Sequence, residues 1–176
     1  DSYQLISRPT SGGTDDDASG GRPSISEDGR FVAFISSSSA LVPGDTNSTT
    51  DAFVFDRENN TIVRTSIDSN GEQTENSIDR SAISRDGSQV LMETVAELVP
   101  SDRNLTRDLY LRDIASGTTL LASLNSEGGT TGSGATEGNF SPDGSLIYFR
   151  GGARSFLENM PNATGTVLVL TSTPTP

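Results

Sequence analysis

Apolar residues in this chain come in short runs, and the runs recur in a fixed order. Phe31–Ile35 (FVAFI) is continuous, Asp51–Asp56 (DAFVFD) puts Phe53 and Phe55 on one face, and Thr61–Ile67 (TIVRTSI) follows a Glu58-Asn59-Asn60 turn. Runs of this length, bounded by Gly, Asp and Asn, predict β-strands, and no stretch sustains a helical period. The order returns as Gln89–Thr94, Asp108–Asp113 and Thr118–Leu124, and again as Leu146–Arg150 and Thr166–Leu170. Short first strands are predicted at Pro23–Ser26, at Ala82–Ser84 and from Gly138 onward. Each leads into a tight turn: Ser26-Glu27-Asp28-Gly29, Ser84-Arg85-Asp86-Gly87 and Ser141-Pro142-Asp143-Gly144. The glycine stands where such a turn requires positive φ.

The longest repeated stretch is Leu41–Arg57 (LVPGDTNSTTDAFVFDR), which returns at Leu98–Asp113 as LVPSDRNLTRDLYLRD. Asp45, Asn47, Asp51 and Asp56 recur 57 positions later as Asp102, Asn104, Asp108 and Asp113. A fixed period of this size marks a repeat protein. Full repeats are predicted over 22–79 and 80–137, an incomplete one over 138–170, and a Pro/Thr-rich tail over 171–176. Ser2–Pro9 (SYQLISRP) is predicted as a lone strand, with Tyr3, Leu5 and Ile6 as its assembly residues. Its nearest internal relatives are the fourth strands of the two full repeats. If it completes the last repeat, the chain holds twelve strands in three four-stranded sheets.

The repeat resembles the TolB-type, WD-like β-propeller blade. Pro23, Ser26, Asp28 and Gly29 match the family's Pro-x-x-Ser-x-Asp-Gly turn, and Asp51, Phe53, Val54 and Asp56 match its third strand. The resemblance runs through Leu170. It implies an all-β, propeller-type architecture and a binding or scaffolding role, with no shared catalytic residue. Two departures stand out: Arg22-Pro23 becomes Arg80-Ser81 in the second repeat, and the third repeat lacks the Asp-rich loop. Propellers close with about four to eight blades, so three blades' worth raises the question of what completes the ring.

Composition changes the picture in three ways. Only 31% of the 176 residues are apolar and there is no Trp, which suits thin repeated sheets better than one thick core. The net charge is −12, every basic residue is Arg, and such acidity disfavours nucleic acid and anionic membrane surfaces. The plain account of that charge is solubility; the sharper one is that some carboxylates hold divalent cations. Cysteine and histidine are both absent, which excludes disulfides, Ser-His-Asp and Cys-His catalysis, and His-containing zinc sites. No apolar run is long enough to span a bilayer, and the sequence reads as a processed mature chain or a fragment.

Candidate chemistry lies in the Asp-rich loops. Asp45, Asn47 and Asp51, with their copies Asp102, Asn104 and Asp108, place hard oxygens at loop positions 1, 3 and 7, the start of a calcium site. In the second copy Arg103 and Arg107 stand among the ligands and weaken that reading. The competing account is structural, with Asp and Asn binding backbone amides in a long turn. Sequons place glycan at Asn59, Asn104 and Asn162, with Asn47 also fitting the motif; at Asn47 and Asn104 glycan and metal exclude one another. A carboxylate pair for sugar hydrolysis is formally available, yet the prominent aspartates all occupy repeated turns and strand ends.

The expectation is a non-enzymatic, extracellular scaffold protein. It would assemble with itself, as a ring or filament, by donating Ser2–Pro9 to a neighbour's incomplete last sheet, with calcium as a loop stabiliser. The alternative is a module of a larger propeller that binds protein or carbohydrate.

Overall fold

Three copies of one hydrogen-bonded turn set the spacing of the sheets. Ser26 Oγ donates to Asp28 Oδ1 at 2.6 Å and accepts the Phe31 amide at 2.9 Å, while Asp28 Oδ1 accepts the Arg30 amide at 3.0 Å. Ser84 and Asp86 repeat this with the amides of Gln89 and Ser88, and Ser141 and Asp143 repeat it with those of Leu146 and Ser145. Gly29, Gly87 and Gly144 hold φ values of 71°, 77° and 75°, a region open to glycine at little cost. The motif is thus a cassette in which side chains satisfy the turn's own backbone.

Around these turns the computed structural model describes residues 3–9, 19–124, 134–151 and 166–171. Among these residues eleven strands form three antiparallel sheets, each in sequence order. The first holds β1 (Ser19–Ile25), β2 (Phe31–Ser36), β3 (Asp51–Asp56) and β4 (Thr61–Arg64). The second holds β5 (Ile78–Ile83), β6 (Gln89–Thr94), β7 (Asp108–Asp113) and β8 (Thr118–Leu121). The third holds β9 (Ala135–Phe140), β10 (Leu146–Gly151) and β11 (Thr166–Thr171). A four-stranded meander stacked on its neighbour is the blade of a propeller.

One face of the first blade packs on the second blade and the other is covered by Leu41, Val42 and Ile6, which is why β3 is buried along its whole length. Ala52 and Val54 turn to the second blade, joining Ala33, Val90, Met92 and Tyr110 in one cluster. Phe53 and Phe55 take the opposite face with Phe34, Leu41 and Ile62, and the Phe34 and Phe53 rings stack at 5.7 Å. Between the second and third blades, Leu91 and Leu109 meet Ala135, Ile147 and Phe149. A Cβ on Gly138 would lie 2.6 Å from the Leu109 side chain, so this residue allows the close approach of β9. Burying each large apolar side chain contributes roughly 1.5–3 kcal/mol, and the thin core is spread over these three layers.

Two expectations are corrected. Tyr3–Pro9 form no strand in the chain's own sheets, so the described residues hold eleven strands, the third sheet having the three of its own that were predicted. The Ile6 side chain packs against the phenylalanine face of the first blade, and Pro9 has no amide to offer a ladder. The fourth strands also stop earlier than predicted, at Arg64 and Leu121. There a serine hydroxyl takes the place of a backbone acceptor: Ser66 Oγ accepts the Ala52 amide and Ser123 Oγ the Leu109 amide, both at 3.1 Å.

Candidate functional site

The Asp-rich loops are built into these strand ends. Ser66 donates to Asp51, and Ser123 donates to Asp108 at 2.6 Å, so the first residue of each third strand ties down the end of the fourth. In the second loop all four carboxylate oxygens have protein donors. Asp102 accepts the Asn104 amide at 3.3 Å and the Tyr110 hydroxyl; Asp108 accepts Ser123, Asn104 Nδ2 at 2.8 Å and Thr106 Oγ1 at 3.3 Å. Burial raises the pKa of Asp108.

In the first loop the same residues are spent differently. Asn47 Nδ2 donates to the Thr74 carbonyl at 2.7 Å, and Asp51 Oδ2 and Thr49 Oγ1 are buried with no partner among the described residues. Asp45 pairs with Arg64 at 3.3 Å; burial and then the nearby Asp51 charge raise its pKa. Calcium takes six to eight oxygens. The second loop would have to break its own bonds to supply them, and in the first a guanidinium already sits against Asp45. Among the described residues no group of three or more His, Cys, Asp or Glu is placed to hold a metal ion.

The sequon amides are engaged as well. Asn59 is exposed and its Nδ2 donates to Asp56 at 2.7 Å, and Asn104 Nδ2 donates to Asp108 at 2.8 Å, so a glycan on either would have to leave the bonded N–H in place. Asn162 lies outside the described residues. Of the predicted assembly residues, Tyr3 is 100% exposed and Leu5 63% exposed, while Ile6 is half-buried on the first blade.

Sequence reasoning missed a cleft of about 320 Å³ where the first strands of the three blades converge. Arg22, Arg80 and Glu137 hold the same position in β1, β5 and β9, and each strand pair carries a register shift close by. Such bulges re-aim side chains, and at Glu137 the backbone is left-handed, with φ 58°. Arg22 has no ion pair among the described residues. Arg80 lies 4.0 Å from Glu93, whose carboxyl accepts the Glu137 amide at 2.8 Å. Burial raises the pKa of Glu93 despite Arg80 and Arg107 beside it. Ser81, in the lining, is buried with its hydroxyl unpartnered. The sequence signal was the Arg-Pro to Arg-Ser change at this position, visible in the repeat but with no chemistry attached.

No family model matches the chain, and no curated protein does. Several solved β-propellers are similar to it. TolB from Acinetobacter baumannii is 22% identical over 85% of this chain and 31% of its own, with a TM-score of 0.49. The propeller domain of the Trilobed protease from Pyrococcus furiosus is 9% identical over 77% of this chain and 34% of its own, with a TM-score of 0.48. A putative TolB from Agrobacterium tumefaciens is 16% identical over 85% of this chain and 57% of its own, with a TM-score of 0.35. The chain thus spans about a third of the first two. The assignment of blades rests on its own strand order, register and stacked faces.

Proposed function

We propose that the chain is a non-enzymatic, extracellular scaffold module that associates with copies of itself through its third blade. The carrying observation is the third sheet, which has three strands where its two neighbours have four. Its outer strand β11 therefore presents backbone amides and carbonyls with no further strand beside them among the described residues, and such edges recruit a strand from elsewhere. Tyr3–Pro9 is the segment that resembles a fourth strand, and its Tyr3 and Leu5 are exposed. Donation from one copy to the next would close a ring if reciprocal and build a filament if not. The non-enzymatic part is supported by the aspartates, which are occupied in turns and strand ends. Calcium is left out of the proposal because the loop oxygens are largely taken.

Light scattering coupled to size exclusion tests this on the intact chain and on a Tyr3→Ser/Leu5→Ser variant. That variant keeps Ile6, and so keeps the contact with the first blade. A wild-type dimer or polymer with a monomeric variant is the expected result. A wild type that is monomeric across concentrations, or a variant that assembles equally well, refutes strand donation.

A second reading, a binding module within a larger propeller, is favoured by the cleft between the inner strands, where the Ser81 hydroxyl and the Arg22 guanidinium have no partner among the described residues.

A further inference from the structure

Independently of self-association, we propose that the cleft at the inner strands binds a small hydroxylated carboxylate. Its charge is the first argument. The chain carries a net charge of −12, yet the lining brings together two guanidiniums, Arg22 and Arg80, against one carboxylate, Glu137. That carboxylate already has Arg150 at 3.4 Å, and Arg80 is held only loosely by Glu93, at 4.0 Å. Arg22 has no counter-charge among the described residues. A guanidinium binds a planar carboxylate through two parallel N–H donors, the arrangement that makes arginine the favoured partner for this group.

The neutral lining supplies the second argument. Ser81 is 9% exposed and its hydroxyl has no partner among the described residues, which is unusual for a buried polar atom and calls for a ligand or water. Asn139 spends its carbonyl oxygen on the Phe140 amide at 2.9 Å, leaving its NH₂ to donate. Tyr148, 38% exposed, brings a phenol to the rim. The donors outnumber the acceptors, so the complementary molecule carries acceptors: a carboxylate at the guanidiniums and hydroxyl oxygens beyond it. A volume near 320 Å³ is at the small end of ligand sites, about the size for a sugar acid or hydroxy acid.

The position also changes charge along the repeat, reading Arg, Arg, Glu from blade to blade. Three like charges converging on one cleft would repel. Two arginines and a neutralised glutamate leave a cationic end and a polar end, which orients a ligand bearing one charge.

Isothermal titration of the intact chain with gluconate and with sorbitol, which differ in the carboxylate, tests the proposal. Gluconate is expected to bind and sorbitol not to. Arg22→Ala, at an exposed position, is expected to weaken gluconate about tenfold, as for a lost charge-assisted hydrogen bond. Ser81→Ala is expected to weaken gluconate while leaving the melting temperature unchanged or higher, whereas a purely structural Ser81 would lower it. Absence of gluconate binding, equal binding of sorbitol, competition by sulfate as strong as by gluconate, or an Arg22→Ala variant with wild-type affinity would each overturn it.

Discussion

The Tyr110 hydroxyl donates to the Asp102 carboxylate and lies 2.6 Å from the Ala96 carbonyl, closing the second Asp-rich loop against β7. Phe53, its counterpart in the first repeat, has no hydroxyl, and there Arg64 on β4 neutralises the equivalent Asp45. The blades thus solve one problem, a nearly buried loop carboxylate, from two different strands. Tyr110→Phe is expected to cost about 1–3 kcal/mol, because it leaves Asp102 short of a donor. Urea denaturation measures this. Arg64→Leu should destabilise likewise, and adding Phe53→Tyr should recover part of the loss; a double variant no better than additive would count against the equivalence.

The turn glycines differ in what surrounds them. All three have positive φ, so alanine costs about 1 kcal/mol at each. A Cβ on Gly87 would also lie 2.2 Å from the Phe31 ring, whereas one on Gly29 first meets the Arg57 guanidinium at 3.5 Å. Gly87→Ala is therefore expected to lower the melting temperature clearly more than Gly29→Ala, and equal losses would remove Phe31 from the account.

Stability should respond to pH in two opposite ways. Burial raises the pKa of Glu93, so the folded chain holds a proton where the unfolded chain has released it. That favours folding as pH falls from neutral towards the ordinary glutamate value, about 4.3. Asp86 and Asp143 behave inversely. The Ser84 hydroxyl lowers the pKa of Asp86, and the Ser141 hydroxyl holds Asp143 down at about 2. Their contribution is full above the ordinary aspartate value and is lost as pH drops through their folded values. The melting temperature is expected to rise from neutral pH to about 5 and to fall below about 4. Glu93→Gln should remove part of the rise and leave the fall; a variant with an unchanged rise would show that Glu93 does not drive it.

Calcium is expected to leave the melting temperature where chelator leaves it, because the second loop's oxygens are all bonded and Arg64 occupies the first. A rise with millimolar calcium that disappears in Asp51→Asn would restore the first loop as a cation site, through its unpartnered oxygens.

Much of the fold was legible in the residues. Gln89–Thr94, Asp108–Asp113 and Asp51–Asp56 are strands at the predicted limits, because each is a short apolar run bounded by polar residues. The first strands were read too short: β1 and β5 begin in polar and Gly-containing stretches that no apolar pattern marks. Ser2–Pro9 looked like a strand because it resembles one locally, but a strand needs a ladder, and whether an edge is available is a tertiary fact. The aspartate loops were recognised as repeated oxygen clusters. Their partners, Tyr110 and Arg64 on strands and Ser66 and Ser123 just past strand ends, lie outside the loops, so the structural reading could not be weighed from spacing alone.

The period, the Ser-x-Asp-Gly cassette, the order of strands within each blade and the all-β class are written in the residues alone. All of these depend on contacts between residues close along the chain or on period-two alternation. Only the tertiary structure decided which carboxylates are neutralised, and by what. It alone showed that Ile6 rests on the first blade and that Arg22, Arg80 and Glu137 share one cleft. The cleft joins residues about a whole repeat apart through blade stacking, while Asp45 and Arg64, within one blade, meet only once its strands are side by side; no local pattern in a chain encodes either kind of neighbour.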